Sequence, residues 1–440
     1  MPISRPILYA LLLALGVYAV HIAVVPFYDF DLFEVPTWKY EHTVIPVIRP
    51  YERSPKYSLY LSGGGYRALL FHVGSLWRLN ESGQLKNLDR IVGVSGGAIA
   101  SAALGARWSE LQFASDGVAI NFQEKIVEPL LGLTATTIDI PAVVFGVLSA
   151  ESVPQRLAAY YDRYIFHGMR LSAMPYDPQF VFQATSIRSG KAIGFSNGGV
   201  WSQENGLSIK NPDLRMSEVV TASSGFPPFL GPSVFRLYPV SVAAREILPD
   251  TVYWPDDYDT SYLYAVDGGV ADNLGAASPL DEEISLISDA ARRPDFLEEP
   301  RKNWISTVLQ AMDLMMDQPR DLTLKNRHCR SQLKPPYKLP AVVYWSSEMP
   351  LDNLGLRCPA GPADMIVTRG LAALPTRLAA LPERTQKQLI NWGYNTALIS
   401  LEYHQLSPPG GAAKLPYPEF PLTRDGQEPE PYRYCKAGIS

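Results

Sequence analysis

Two glycine-bearing motifs, each set between a strand-like run and a helix-like run, constrain this chain more than any other feature. The first is Ser62-Gly63-Gly64-Gly65-Tyr66-Arg67 and the second is Gly93-Val94-Ser95-Gly96-Gly97. Tyr57-Ser-Leu-Tyr-Leu61 reads as a strand entering the first, and Arg90-Ile-Val-Gly-Val94 as a strand entering the second. Tyr66 to Leu79 follows with Leu69, Leu70, Val73, Leu76, Trp77 and Leu79 at helical spacing. Ala98 to Ala106 is small and apolar, as in a helix packed tightly on a sheet. Strand, loop, helix, strand, turn, helix is the order of a parallel, doubly wound α/β sheet.

Further along, Phe180 to Thr185 and Ala192 to Phe195 flank Ser189-Gly190 and read as a hairpin. Met216 to Ser223 has helical character and ends in Gly225-Phe226-Pro227-Pro228. Leu263 to Val266 is a strand pattern that runs into Asp267-Gly268-Gly269, and Ala341 to Trp345 is a late strand. Arg384 to Glu402 reads as a long amphipathic helix. Leu130 to Leu148 is apolar with one acid, Asp139; it suits a lid, a membrane-facing flap, or a buried core segment. There is no internal repeat.

The amino terminus differs in kind. Ile7 to Phe27 carries no formal charge, and its length suits a single membrane span better than the apolar core of a cleaved signal peptide. Arg5 precedes it, while Asp29, Asp31 and Glu34 follow, which favours a cytoplasmic N-terminus and an exported body. The expected organisation is therefore an anchor over residues 1–27, a connector over 28–55 and a folded domain over 56–405. A loosely packed Pro/Gly-rich tail fills 406–440. A net charge of −5 gives no reason to expect nucleic-acid binding. Cys329, Cys358 and Cys435 form neither a disulfide framework nor a metal-ligand cluster.

A serine hydroxyl attacks a carbonyl only when something takes its proton and something stabilises the oxyanion. In Gly93-x-Ser95-x-Gly97, the glycines permit a tight turn that presents Oγ at the carboxyl end of a strand. Gly63-Gly64-Gly65 offers backbone N–H groups that can approach a substrate oxygen closely. The ordinary alternatives are a tight turn or a phosphate loop, but no Gly-Lys-Ser/Thr follows and the dinucleotide spacing fails. For the base, Asp267 follows an apolar strand as Ser95 does, so both are expected at one edge of a parallel sheet. An Asp-Gly-Gly is otherwise a plain turn. His72 reads as a packed helix residue; His42, His167, His328 and His404 sit in no triad context.

The ordered set Gly63-Gly64-Gly65-x-Arg67, Gly93-x-Ser95-x-Gly97 and Asp267-Gly268-Gly269 resembles the patatin-like phospholipases. Thr221-Ala-Ser-Ser-Gly-Phe-Pro-Pro228 and Gln183-Ala-Thr185 are similar to theirs as well, and the likeness covers about Tyr57 to Leu274. It implies a three-layer α/β/α fold with a central, mainly parallel sheet and lipid acyl hydrolysis through a Ser–Asp dyad. Ser95 would be the nucleophile, Asp267 the general base, and Gly63, Gly64 and Gly65 the oxyanion hole. Arg67 would brace the loop or meet substrate phosphate. Ser62 stands where the family usually has Asp, and Ala68 where it usually has Gly. The partners implied are a phospholipid or acylglycerol and, through the N-terminal segment, a membrane; no metal or cofactor is required. The rival readings are an esterase or thioesterase on soluble acyl esters, a tethered binding protein that kept the fold, and a triad hydrolase using His72 or His167.

Overall fold

A computed structural model describes Gly16 and residues 38–39, 44–45, 56–148, 151–202, 208–209, 213–236, 262–276, 283–292, 304–331, 341–349, 363–406 and 414–424. The chain divides into two units, Met1–Thr37 and Trp38–Ser440, and the second holds every strand of the sheet. The expected anchor at Ile7 to Phe27 lies outside the described residues, Gly16 apart.

In chain order the principal elements begin with β1 (Tyr57–Leu61), α1 (Gly65–Glu81), β2 (Arg90–Val94) and α2 (Gly96–Ala106). Then come α3 (Glu128–Thr134), α4 (Asp139–Leu148), α5 (Val153–Tyr161), β3 (Gln179–Ser186), β4 (Ala192–Ser196) and β5 (Gly199–Ser202). The helix α6 (Met216–Ser224) leads to β6 (Ser233–Arg236), β7 (Tyr262–Asp267) and a single helical turn, α7 (Gly269–Asp272). The chain closes with β8 (Ile284–Asp289), α8 (Trp304–Ser331), β9 (Ala341–Ser346), α9 (Met365–Ala372) and α10 (Glu383–Tyr403).

The strands form one mixed sheet, not the mainly parallel one expected. Its core, in the order β9-β8-β1-β2-β3, is parallel throughout. From β3 outward the pairings with β4 and then β5 are antiparallel, because hairpins replace helical crossovers there. The sheet strands alternate between two apolar cores, as a two-sided sheet requires. Leu59, Leu61, Ile91, Phe180, Phe182, Leu286, Val343 and Trp345 face the larger core. Tyr60, Val92, Val181 and Ile287 face the other, with Leu274, Ala276 and Leu324 covering them. The helices α1, α2 and α10 supply the first outer layer, and α8 with the turn after β7 the second, giving three layers. The pair α1 and α10 packs at close range: a Cβ on Gly74 would lie 1.9 Å from the Ile390 carbonyl oxygen, and one on Gly393 1.8 Å from that of Phe71.

Part of the expected loose tail is packed. Asn391 of α10 donates to the carbonyls of Tyr417 and Phe420 and accepts the Tyr417 N–H, and Leu422 is fully buried. Proline-rich composition hid this, because the anchoring is by backbone groups that any residue supplies. The apolar stretch 130–148 divides between two roles. Leu130, Leu133, Ile138 and Ala142 are core, while Ile140, Phe145 and Leu148 are more than half exposed. Among the described residues no single helix is long and apolar enough to cross a membrane; Gln123–Thr134 and Asp139–Gly146 pass that test only as a pair bent by 58°.

Candidate active site

Register brings Ser95 and Asp267 together. Val94, the last residue of β2, pairs with Gln183 of β3, and Asp267, the last residue of β7, pairs with Ala184. Strand β2 is parallel to β3 and β7 antiparallel, and β4 occupies the other edge of β3 at Ala184 and Thr185. The strands β2 and β7 therefore approach end to end along one edge of β3, and their carboxyl ends meet between Gln183 and Ala184. The expected edge of a parallel sheet is corrected in that β7 is antiparallel to β3; the two residues do come together.

Ser95 sits on the turn into α2 with φ 52° and ψ −117°, a conformation that side-chain-bearing residues rarely adopt and that costs about 1–3 kcal/mol. The cost is held by its surroundings. The Ser95 N–H donates to Ser223 Oγ at 3.1 Å, and Ser223 Oγ donates to the Gln183 carbonyl at 2.6 Å. The same segment holds the carboxylate: the Asp267 N–H donates to Gly225 O and the Gly268 N–H to Ser223 O, each at 3.1 Å. Thr185 Oγ1 donates to Gly268 O at 3.2 Å and accepts the Ala271 N–H at 3.1 Å. Residues 183–185 and 221–228 are thus the frame that fixes the serine turn against the aspartate turn.

Asp267 is 2% exposed. Its Oδ1 accepts the Gly269 N–H at 2.8 Å, and the Ser95 hydroxyl hydrogen-bonds the carboxylate. Burial pushes the carboxyl pKa up to about 6, outweighing those two donors, which pull it down. A hydroxyl beside a buried, unusually basic carboxylate is an arrangement that can serve as nucleophile and base.

The glycine loop faces them. Gly64 and Gly65 have φ of 142° and 61°, values open to glycine. Their N–H groups have no acceptor among the described residues, whereas the Gly63 N–H donates to the Asn273 carbonyl at 3.0 Å. Of the three glycines expected to form an oxyanion hole, Gly64 and Gly65 are therefore the two whose N–H groups are open to a substrate oxygen. Ser62 keeps the bracing role at the Asp position: its Oγ accepts the Ala290 N–H at 2.7 Å. Of the two roles expected for Arg67, bracing the loop or meeting substrate phosphate, its contacts are those of a brace. It is 1% exposed, donating to Ala290 O at 2.5 Å and Thr376 Oγ1 at 3.2 Å, and burial lowers its pKa to about 10.

His72 is no catalytic base. It is fully buried, with Nδ1 2.9 Å from Ser288 Oγ and Nε2 2.8 Å from the Ser62 carbonyl. Burial lowers its pKa to about 4, so a neutral ring donates from Nε2 to Ser62 and accepts from Ser288. His167 is exposed at the end of a helical turn, and neither histidine lines the cleft.

The cleft has a volume of about 580 Å3. Ser95, Asp267, Gly64 and Gly65 lie on it. Ile140, Val143, Val144, Phe226, Leu230 and Met316 make an apolar wall, and Arg292, Asp313, Asp317, Arg320 and Arg377 a polar one. Asn273 also lines it, its amide oxygen so close that a Cβ on Gly63 would lie 2.2 Å away. Sequence reading passed over Asn273, Ser223 and the polar wall. Only nearness to Asp267 marked the first, and nothing local marked the wall, which comes from the residues after β8, from α8 and from the segment before α10.

A serine on a strand-to-helix turn, facing a buried carboxylate in a half-apolar cleft on an α/β sheet, sets the class of this protein. The chain belongs to the patatin-like phospholipase family: that family's model matches residues 59–280, half of the chain. No curated protein sequence matches. Among solved structures the chain is similar to human GIVD cytosolic phospholipase A2, at 12% identity and a TM-score of 0.48 over 81% of this chain and 63% of that one. It is also similar to VipD from Legionella pneumophila, at 12% identity and a TM-score of 0.34 over 87% and 73%. The chain thus spans less than two thirds of the length of the human phospholipase.

Proposed function

We propose that this chain is a membrane-anchored lipid acyl hydrolase of phospholipase A or lysophospholipase type, using Ser95 as nucleophile and Asp267 as general base. The observation that carries the reading is the meeting of the Ser95 and Asp267 turns on one cleft, with the serine beside a buried carboxylate whose pKa burial raises to about 6. Asp267 takes the Ser95 proton as Oγ bonds to the ester carbonyl carbon. The carbonyl π electrons move to oxygen, and the N–H groups of Gly64 and Gly65 receive the oxyanion. Collapse expels the alcohol, which takes the proton back from Asp267, and leaves an acyl-serine. Water, deprotonated by Asp267, then attacks that ester; the fatty acid leaves and Oγ regains its proton. At neutral pH a group of pKa about 6 is mostly ionised yet more basic than an ordinary aspartate, which suits both halves of the cycle.

The family supports a lipid substrate, and the apolar wall is suited to an acyl chain. The uncharged run Ile7 to Phe27 supports a single N-terminal span, with the catalytic unit on the non-cytoplasmic side. Anchoring would raise the effective concentration of bilayer substrate.

The test is fatty-acid release from vesicles of mixed phospholipid and acylglycerol by the full chain. Ser95→Ala and Asp267→Asn are each expected to lose on the order of a thousandfold or more in rate. Release that survives in folded Ser95→Ala would sink the proposal.

A further inference from the structure

The family match ends at residue 280, yet Pro375, Thr376, Arg377 and Leu378 form part of the cleft wall. This short strap is fastened to the start of α1 at two points and to α4 at a third. Arg67 donates to Thr376 Oγ1 at 3.2 Å, the Tyr66 N–H to the Arg377 carbonyl at 3.0 Å, and the Leu378 N–H to Asp139 Oδ2 at 3.2 Å. A Cβ on Gly65 would touch the Arg377 backbone, so the strap lies directly on one of the two glycines whose N–H groups are unsatisfied.

The Arg377 guanidinium is set in place by Asp139: Nε donates to Oδ2 at 2.9 Å and Nη2 to Oδ1 at 3.2 Å. That pairing uses two of the five guanidinium N–H donors; Nη1 has no acceptor among the described residues. The side chain is 45% exposed on the cleft. The other arginines of the wall are differently placed. Arg320 is 1% exposed and held by Asp289 and Asp317, and Arg292 is partly buried with a partner of its own. Arg67, the arginine of the sequence motif, faces away into the core.

We propose that Arg377 binds the headgroup phosphate of a glycerophospholipid substrate and so favours phospholipids over uncharged acylglycerols. The inference rests on the reaction proposed above. In a glycerophospholipid the phosphate lies only a glycerol backbone away from the ester under attack. Its site must therefore be on the rim beside the oxyanion donors, where Arg377 is rooted. A planar guanidinium already oriented by Asp139 loses little rotamer freedom on taking a second anion, and its remaining donors match phosphate oxygens.

The test uses the full chain and mixed micelles of a non-ionic detergent carrying either diacyl phosphatidylglycerol or the diacylglycerol with the same chains. The readout is the ratio of kcat/KM for the two lipids in wild type, Arg377→Gln and Arg377→Lys, with fluorophosphonate labelling of Ser95 followed in the same preparations. Arg377→Gln is expected to lower the ratio about tenfold, mainly through KM for the phospholipid, and Arg377→Lys to recover part of it. A ratio within twofold of wild type, or a parallel loss on both lipids, would overturn the inference. Wild type that labels at Ser95 while the ratio stays flat would leave the reaction standing and remove only the role of Arg377. Wild type that neither labels nor hydrolyses either lipid would remove both.

Discussion

Asp267 is 2% exposed and has as neighbours one backbone N–H and one hydroxyl, too few donors to replace the water a carboxylate loses on burial. The consequence for stability has a definite sign. The unfolded chain releases this proton near pH 3.8 and the folded chain near pH 6. Between those values the folded state binds more protons, so stability falls as pH rises, and above pH 6 the ionised carboxylate costs on the order of 3 kcal/mol. His72 acts oppositely. Its folded pKa of about 4 lies below the usual 6.5, so its contribution is lost as pH falls through that window. Comparing Asp267→Asn with wild type cancels the histidine. We predict that Asp267→Asn is the more stable protein by about 1–3 kcal/mol at pH 8, with the difference vanishing near pH 4. Urea midpoints measured across that range check it; a difference that does not vary with pH would contradict the buried-base account. Ser95 and Asp267 were both legible because Gly-x-Ser-x-Gly and Asp-Gly-Gly are local patterns with local causes. The raised pKa was not, since it depends on what covers the carboxylate.

At the scale of elements, strands, helices and turn types followed from periodicity and glycine placement. The β1 and β2 strands have the bounds their sequence implies, and α1, α2 and α10 differ by a few residues at their ends. Direction did not follow. Nothing in Tyr262–Asp267 distinguishes a strand that joins β3 antiparallel from one that joins it parallel, because burial demands the same residues of both. Nor did the division of 130–148, in which one helix puts Ala142 into the core and Val143 and Val144 into the cleft. If α4 forms the acyl wall, narrowing it shortens the acceptable chain. Val144→Phe is predicted to move the preferred acyl length down by several carbons, with at least a tenfold loss of kcat/KM on the longest chains, read from a p-nitrophenyl ester series. A uniform loss across all lengths would show instead that α4 only supports the fold.

For the whole molecule, the glycine loop, Ser95 and Asp267 lie within the first two thirds of the chain, and what closes around them comes largely from the last third. Strands β8 and β9 complete the parallel core beside β1, Ala290 holds Ser62 and Arg67, and α8 lays Met316 and Asp317 into the cleft. Asp289, fully buried, ties α8 to the sheet by accepting from Arg320 Nε at 2.8 Å and from the Tyr344 hydroxyl at 2.7 Å. These are contacts between residues far apart in sequence, each ordinary in its own neighbourhood, so no motif announces them. The motifs single out Ser95 and Asp267, and the rest of the chain supplies the walls of their cleft and fixes the glycine loop.

The measurement that bears most directly on this account is the position and rate of covalent trapping. The full chain would be treated with an alkyl fluorophosphonate, digested, and its adduct located by mass spectrometry, with Ser95→Ala and Asp267→Asn alongside. The account predicts an adduct on Ser95 alone, absent in Ser95→Ala and formed at least a hundredfold more slowly in Asp267→Asn. An adduct on another residue, or Ser95 labelling at the wild-type rate without the Asp267 carboxylate, would contradict it.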